Sequence, residues 1–191
     1  MLLSEPLENE IEIDGEVYSL RLSFDIVLRF FDLMDDDSFF DAEKVAIAFR
    51  MFVDTEREFD LETQNKAVMR IVDTFIIGDN DEPGETKKTY DFKQDAEYIY
   101  ASFMQEYGID LIEQQGRLRW EKFVALLTGL RDETKFKEVI GIRTCDLPKG
   151  KEMKEERERL KKLKRLYALE KDQKQKEQEL DMMFDSLAKK G

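Results

Sequence analysis

Residues 10–31, EIEIDGEVYSLRLSFDIVLRFF, contain the change of hydrophobic period on which the fold depends. Apolar and polar side chains alternate on both sides of Asp14-Gly15, a dipeptide that favours a two-residue hairpin turn. This turn places Ile11 opposite Tyr18. Five apolar side chains then share one face of the hairpin: Ile11, Ile13, Tyr18, Leu20 and Leu22. Because a lone hairpin is only marginally stable in water, we expect this face to pack against helices.

After the hairpin, the spacing of apolar residues changes from strand-like to helical. The residues at positions i, i+3, i+4 and i+7 of the first helix are Phe24, Val27, Leu28 and Phe31. Ser23 is a plausible N-cap residue, and Asp25 lies in the first turn, where the helix dipole favours a negative charge. The segment therefore predicts a helix that begins directly after the hairpin.

The same spacing predicts five further helices up to residue 148. The second helix begins near Ser38 or Asp41, and the third runs from about Leu61 to Ile77, before a surface loop over 78–89. The inward-facing residues of the fourth helix are Phe92, Ala96, Ile99 and Phe103. The last two apolar stripes are Trp120, Phe123, Val124 and Leu127, stopped by Gly129, and Phe136, Val139 and Ile140, stopped by Gly141.

Charge divides the chain into two predicted parts. Residues 1–148 carry 17 Lys and Arg against 34 Asp and Glu, whereas residues 149–191 carry 14 against 10. Residues 151–187 contain neither Pro nor Gly and favour one long helix or a helical pair. We therefore predict a mainly α fold: a compact, acidic multi-helix domain with an N-terminal β-hairpin over 1–148, and a long charged helical arm over 149–191.

Composition excludes several kinds of chemistry. The 191 residues include no histidine, which rules out imidazole triads, histidine-ligated metals and histidine proton shuttles. The single cysteine, Cys145, can form neither an internal disulfide nor a thiolate zinc site. Gly-rich phosphate loops and an EF-hand spacing of acids are also missing from the sequence. We predict a protein that is not an enzyme, with no catalytic residue, no metal and no cofactor.

The same composition argues against nucleic acid and membrane as partners. Phosphate binding by the acidic part would be opposed by its own field. No apolar run approaches the 18 residues that a membrane-spanning helix needs, and the N-terminus lacks the pattern of a secretory signal. We expect a soluble protein that binds other proteins.

Two apolar stripes in the charged arm are candidates for such binding. The first consists of Leu160, Leu163 and Tyr167, and the second of Leu180, Met183, Phe184 and Leu187. In one straight helix the second stripe would be rotated by about 220° from the first, so the two need different partners or a break between them. The second stripe either docks on the body of its own chain or binds a groove of another protein through its helical anchors.

Two stretches resemble the bacteriophage gene-product-fifteen family of siphophage proteins: EIDGEVYSLRLSFDIVLRFFDLM over 12–34 and WEKFVALLTGLRDETKFKEVIGIRTCDLP over 120–148. Members combine a hairpin, amphipathic helices, a Trp-x-x-Phe-x-x-Leu-Leu-x-Gly-Leu segment, an Ile/Tyr-Arg step and a charged tail. The matching signature positions, all packing residues, are Trp120, Phe123, Leu126, Leu127, Gly129, Leu130, Ile142 and Arg143. The resemblance covers about four-fifths of the chain and brings no enzymatic residues with it.

The resemblance implies a role in phage morphogenesis. The family is associated with the tail gene cluster, between the tail tube and tape-measure proteins, which implies a tail assembly chaperone in the cytoplasm of the bacterial host. Its partners would be the tape-measure protein, other tail proteins and further copies of itself, with Leu180, Met183, Phe184 and Leu187 as the candidate contact. Two alternatives are a structural connector or completion component of the virion, and an acidic DNA mimic that inhibits a host protein.

Overall fold

The computed structural model describes residues 4–77, 89–150 and 152–170, and these ranges are mainly helical. The strands are β1 (Glu10–Ile13) and β2 (Glu16–Ser19). The helices are α1 (Phe24–Asp35), α2 (Asp41–Phe52), α3 (Leu61–Ile71), α4 (Ala96–Tyr107), α5 (Trp120–Thr128), α6 (Lys135–Thr144) and α7 (Lys154–Leu166), and a π-helical segment (Val72–Ile77) follows α3. The predicted mainly α fold with a small N-terminal hairpin is confirmed. Every helix in the described ranges is too short or too polar to traverse a lipid bilayer.

The hairpin has the predicted turn and register. Asp14 and Gly15 have φ angles of 52° and 79°, and positive φ at both central residues matches the right-handed twist of the strands. Strands β1 and β2 are antiparallel with Ile11 opposite Tyr18. The shared apolar face is turned inward, with Ile11 and Ile13 buried.

The extended chain between β2 and α1 joins two other parts of the fold. Leu20 forms an isolated bridge with Val53 at the end of α2, and Ser23 forms one with Arg119 at the start of α5. The Arg21 amide donates to the Phe52 carbonyl at 2.8 Å, and the Trp120 amide donates to the Leu22 carbonyl at 2.8 Å. These backbone bonds fix where α1, α2 and α5 begin or end.

Ser23 precedes α1 as predicted, but its side chain does not cap the helix. The Phe24 amide donates to the Leu118 carbonyl, and the Ile26 and Val27 amides donate to the Ser23 carbonyl. Because backbone groups already accept from these first-turn amides, the serine hydroxyl has no capping role. Its oxygen is buried without a hydrogen-bond partner in the described residues.

The chain forms two compact units. The first unit comprises residues 1–86 and 108–129, and its core is rich in aromatic rings. Phe24 stacks on Phe123 with ring centroids 4.9 Å apart, and Phe31 meets the edge of Trp120 at 5.6 Å. Such pairs add directional packing to the burial of their large apolar areas, so they fix α1 against α5.

The second unit comprises residues 87–107 and 130–191, of which the described part contains α4, α6 and α7. Its buried side chains include Ile99, Phe103, Phe136 and Val139. The predicted inward position of Ala96 is wrong, because Ala96 is exposed and Asp95 is fully buried one residue earlier. The spacing of apolar residues did not identify Asp95 as an inward-facing residue, because Asp95 is charged. It is buried together with its ion-pair partner, Arg143.

Helix α6 continues through Gly141, so the prediction that this glycine stops the helix is wrong. Gly141 is exposed, and no φ in the left-handed region is recorded for it. The extra turn carries Arg143 to partners on three other segments, and these contacts outweigh the weak helix propensity of one glycine. The helix ends where the Cys145 amide donates to the Gly141 carbonyl.

The charged arm begins inside the second unit. Helix α7 packs against α6, and Leu160, Leu163 and Tyr167 are half-buried. The contacts place the arm in the same unit as residues 130–148. The charge pattern, in contrast, separates residues 1–148 from residues 149–191. The boundary at residue 148 stays a prediction, because 171–191, about half of the arm, lie outside the described residues.

Candidate interaction site

Half of the eight signature residues are buried, whereas Leu126, Ile142 and Arg143 are half-buried and Gly129 is exposed. Trp120, Phe123 and Leu127 are buried in the first unit, and Gly129 follows α5 as its C-cap. Leu130 is buried in the second unit, and the Arg143 side chain is 9% exposed there. The pattern therefore marks positions that hold the fold together and does not mark a surface.

Trp120 combines packing with one polar contact. Its ring is close to those of Phe31 and Phe123, and its Nε1 donates a hydrogen bond to the Ile76 carbonyl at 3.2 Å. A buried indole N–H needs such an acceptor. The π-helical segment supplies it, so the start of α5 is fixed against the chain that follows α3.

Arg143 joins several segments of the second unit through hydrogen bonds. Its Nη1 and Nη2 lie 2.6 and 2.7 Å from the two carboxylate oxygens of Asp95, whose side chain is fully buried. Its Nε donates to the Tyr167 carbonyl at 2.6 Å, and Nη1 also donates to the Thr89 carbonyl at 3.1 Å. A buried carboxylate requires such a bidentate, charge-assisted partner. One guanidinium therefore holds α4, α6 and the residues after α7 together.

A second set of contacts holds the chain after α7. The Gln94 side-chain amide donates to the Ala168 carbonyl at 2.9 Å, and its oxygen accepts from the Glu170 amide at 3.0 Å. Leu169, between these two residues, is buried. We call Gln94, Arg143 and their backbone contacts at 167–170 the arm clasp. The clasp fixes the backbone at the last described residue of the arm.

Tyr167 also contacts α6 through its side chain. Its hydroxyl is 3.0 Å from Lys135 Nζ, which also lies 5.0 Å from the centre of the tyrosine ring. The hydrogen bonds to Tyr167 and Glu138 raise the pKa of Lys135 above its ordinary value. These contacts anchor the ammonium group between Glu138 and Tyr167.

The candidate partner-binding residues Leu180, Met183, Phe184 and Leu187 lie outside the described residues. The structure places only the point from which that segment continues, at Glu170 in the arm clasp. Sequence reasoning identified Arg143 but missed Asp95 and Gln94. A charged residue at an inward position of the α4 period was the available signal for Asp95.

The first unit contains a groove that the sequence analysis did not identify. It lies between α1 and α2, has a volume of about 400 Å³, and combines an apolar floor with cationic side chains. The floor residues are Ile26, Leu33, Ile47 and Met51, and the cations are Arg21, Arg29 and Arg50. We call this feature the α1–α2 groove. Grooves that combine apolar and charged groups suit protein segments of matching chemistry.

Exposed apolar side chains follow the groove at the connection between α1 and α2. Phe40 is 80% exposed, and Phe39 and Met34 are also exposed. The Phe40 amide donates to the Glu43 carboxylate at 2.9 Å, so the backbone there is fixed at the start of α2 while the ring faces solvent. Single exposed apolar side chains are common on soluble proteins, so these three residues alone do not define a contact surface.

Chemical sites of other kinds are not apparent in the described part of the chain. No group of three or more Cys, Asp or Glu residues within it is arranged to hold a metal ion. Cys145 is exposed, and its Sγ lies 3.3 Å from the Ile142 carbonyl oxygen.

Comparison with known families gives one match over most of the chain. A family model described as "Bacteriophage Gp15 protein" matches residues 3–169. The matched range includes the hairpin, the signature positions of both units and the arm as far as the clasp. No curated protein and no solved structure matches the chain.

Proposed function

The chain belongs to the bacteriophage Gp15 protein family, and from this premise we propose that it is a tail assembly chaperone. In this role it binds the tape-measure protein in the bacterial cytoplasm before the tail tube polymerises, and it makes or breaks no covalent bond. The match over residues 3–169 is the observation that carries the proposal, and it indicates a structural or morphogenesis protein of a phage.

The surface chemistry supports a chaperone role. A protein that covers a long apolar helix must expose apolar groups and still stay soluble. The net charge of −13 favours solubility through mutual repulsion, while Phe40, Ile112 and Leu166 are at least 65% exposed. Scattered exposed residues of this kind support contacts that are weak enough to be displaced by tube subunits.

The arm supports the same role through its layout. Twenty-one residues follow the arm clasp, and they include the apolar positions Leu180, Met183, Phe184 and Leu187. Their i, i+3, i+4, i+7 spacing is that of an amphipathic helix which lays its apolar face on a partner. We therefore propose this segment as the contact with the apolar tape-measure helix.

Co-expression with fragments of the tape-measure protein tests the proposal. We expect the wild-type chain to copurify with at least one fragment. Leu180→Asp combined with Phe184→Asp should reduce the recovered fragment strongly, because each substitution places a charge on the apolar face. Gln178→Asp combined with Ser186→Asp is the matched control, since it adds the same two charges off that face and should leave capture unchanged.

Two results would contradict the proposal. One is the lack of a complex with any tape-measure fragment at micromolar concentrations. The other is the presence of the protein in stoichiometric amounts in purified virions, measured by mass spectrometry, because a chaperone leaves the finished tail. That second result would instead support the structural connector or completion role.

A further inference from the structure

The α1–α2 groove concentrates positive charge on an acidic body. The first unit contains ten Lys and Arg against 26 Asp and Glu, yet three of those ten line this single groove. Between them Leu33 is buried, and the other three floor residues are half-buried. The groove therefore offers apolar contact and positive charge together, which suits an acidic amphipathic segment.

The three arginines keep donors for a ligand. Arg21 Nη2 donates to the Arg50 and Val53 carbonyls at 2.5 and 3.0 Å, and Arg21 Nη1 lies 3.9 Å from Asp54. Arg29 Nη2 lies 3.5 Å from Asp25. Each guanidinium has five N–H groups, so these contacts leave several unused. Within the described residues the Arg50 side chain makes no hydrogen bond or ion pair. The Arg21 and Arg29 side chains are 46% and 65% exposed.

The end of the same chain has the complementary chemistry. Residues 177–187, EQELDMMFDSL, contain four carboxylates and no Lys or Arg. Three of these, Glu177, Asp181 and Asp185, recur every four residues and would lie within an arc of about 80° on a helix. That arc borders the apolar face on the side of Phe184. A helix formed by this segment would therefore present an apolar stripe beside a row of three negative charges about 12 Å long.

We propose that the α1–α2 groove binds residues 177–187 of a second copy of this chain. The apolar stripe contacts the floor residues, and the row of carboxylates contacts the three arginines. Because groove and segment are different surfaces, the contact is head-to-tail, and each joined pair still has one free groove and one free segment. Such a contact can continue from copy to copy, so the extent of association increases with protein concentration.

This inference concerns the protein alone and does not depend on the tape-measure protein. Self-association is measured without any partner, whereas the proposed function is measured by capture of tape-measure fragments. Either can fail while the other stands.

Sedimentation velocity of the purified full-length chain over a range of concentrations tests the inference. We expect reversible association that weakens when the salt concentration is raised from about 0.05 M to about 0.5 M, since exposed charges are screened. Reversing the groove charge with Arg29→Glu and Arg50→Glu should weaken association by roughly tenfold or more, because like charges then face each other. Reversing the segment charge with Asp181→Lys and Asp185→Lys should have the same effect.

Mixing the two charge-reversed variants provides the decisive control. In the mixture, the negative groove of the Arg29→Glu and Arg50→Glu variant faces the positive segment of the Asp181→Lys and Asp185→Lys variant. An equimolar mixture should therefore associate again. Arg70→Glu changes an exposed arginine outside the groove and should leave association unchanged. Circular dichroism checks that each variant folds. A wild-type chain that stays monomeric, variants that associate like wild type, or a mixture that stays dissociated would each overturn the inference.

Discussion

Arg143 and Asp95 show how one residue pair organises the second unit. Asp95 is fully buried, and Arg143 contacts both of its oxygens. Only a planar guanidinium can make this bidentate contact and still reach the Tyr167 and Thr89 carbonyls, so lysine is not an equivalent residue here. Removing one partner leaves an uncompensated buried charge, which costs more than the intact pair contributes.

We predict that Arg143→Leu lowers the free energy of unfolding by about 3–5 kcal/mol, because Asp95 is then buried without a counter-charge. Arg143→Lys should fall between this variant and wild type, because an ammonium makes a single contact. Urea unfolding followed by circular dichroism measures the change. The control is Arg131→Leu, which breaks an ion pair to Glu106 whose arginine side chain is 71% exposed. Equal unfolding midpoints for Arg143→Leu and Arg131→Leu would contradict the prediction.

The sequence alone could not reveal this pair. The resemblance identified Arg143, but its partner lies 48 residues earlier, at a position where the helical period suggests an apolar residue. In contrast, Ile11 and Tyr18 were paired correctly, since the turn between them is local and Asp14-Gly15 fixes the register. Short-range chemistry determines the hairpin, whereas the Arg143 contacts exist only once the unit is folded.

The helices show the same division between local and tertiary control. The prediction placed α2 correctly at one of its two suggested starts, Asp41, where the Phe40 amide donates to the Glu43 carboxylate and closes the first turn. It ended α6 too early at Gly141, where a glycine was interpreted as a stop signal. Gly108 and Gly116 do adopt left-handed φ angles of 64° and 71°. The residue type is the same at all three positions, and the tertiary contacts of α6 decide the difference.

We predict opposite effects for alanine at two of these glycines. Gly141→Ala should raise the free energy of unfolding by about 0.5–1 kcal/mol, because alanine favours a helix interior and the added methyl group meets no atom within 4 Å. Gly116→Ala should lower it by about 1–2 kcal/mol, since its left-handed φ disfavours any Cβ. Urea unfolding curves of both variants measure the two shifts. Shifts of the same sign would contradict the prediction.

The charge of the whole molecule is the property that the sequence describes most directly. Forty-four acids against 31 bases give a net charge of −13 at neutral pH. Local ion pairs such as Lys66–Glu62 and Lys161–Glu158 are exposed and stabilise little. The excess of acidic groups therefore leaves a net repulsion that these local pairs do not cancel. The division into two compact units, in contrast, depends on contacts between distant residues and did not follow from the charge pattern.

We predict that added salt raises the melting temperature. Salt screens the repulsion of the acidic surface at distances beyond about 10 Å, while the buried Arg143–Asp95 pair is screened much less. Scanning calorimetry of the wild-type chain at about 0.05 M and about 0.5 M sodium chloride measures the shift. Dilute samples keep the chain monomeric and separate this effect from self-association. A melting temperature that falls with salt would contradict the prediction.

The arm clasp has a mechanical consequence. Gln94 and Arg143 hold the backbone at Tyr167, Ala168 and Glu170, and they project from two other parts of the unit, the start of α4 and the end of α6. A pulling force on the chain beyond Glu170 would therefore be shared by three segments before α7 could be peeled away. A load taken up by residues 171–191 would be transmitted to the body as tension, with Gln94 and Arg143 as its points of attachment.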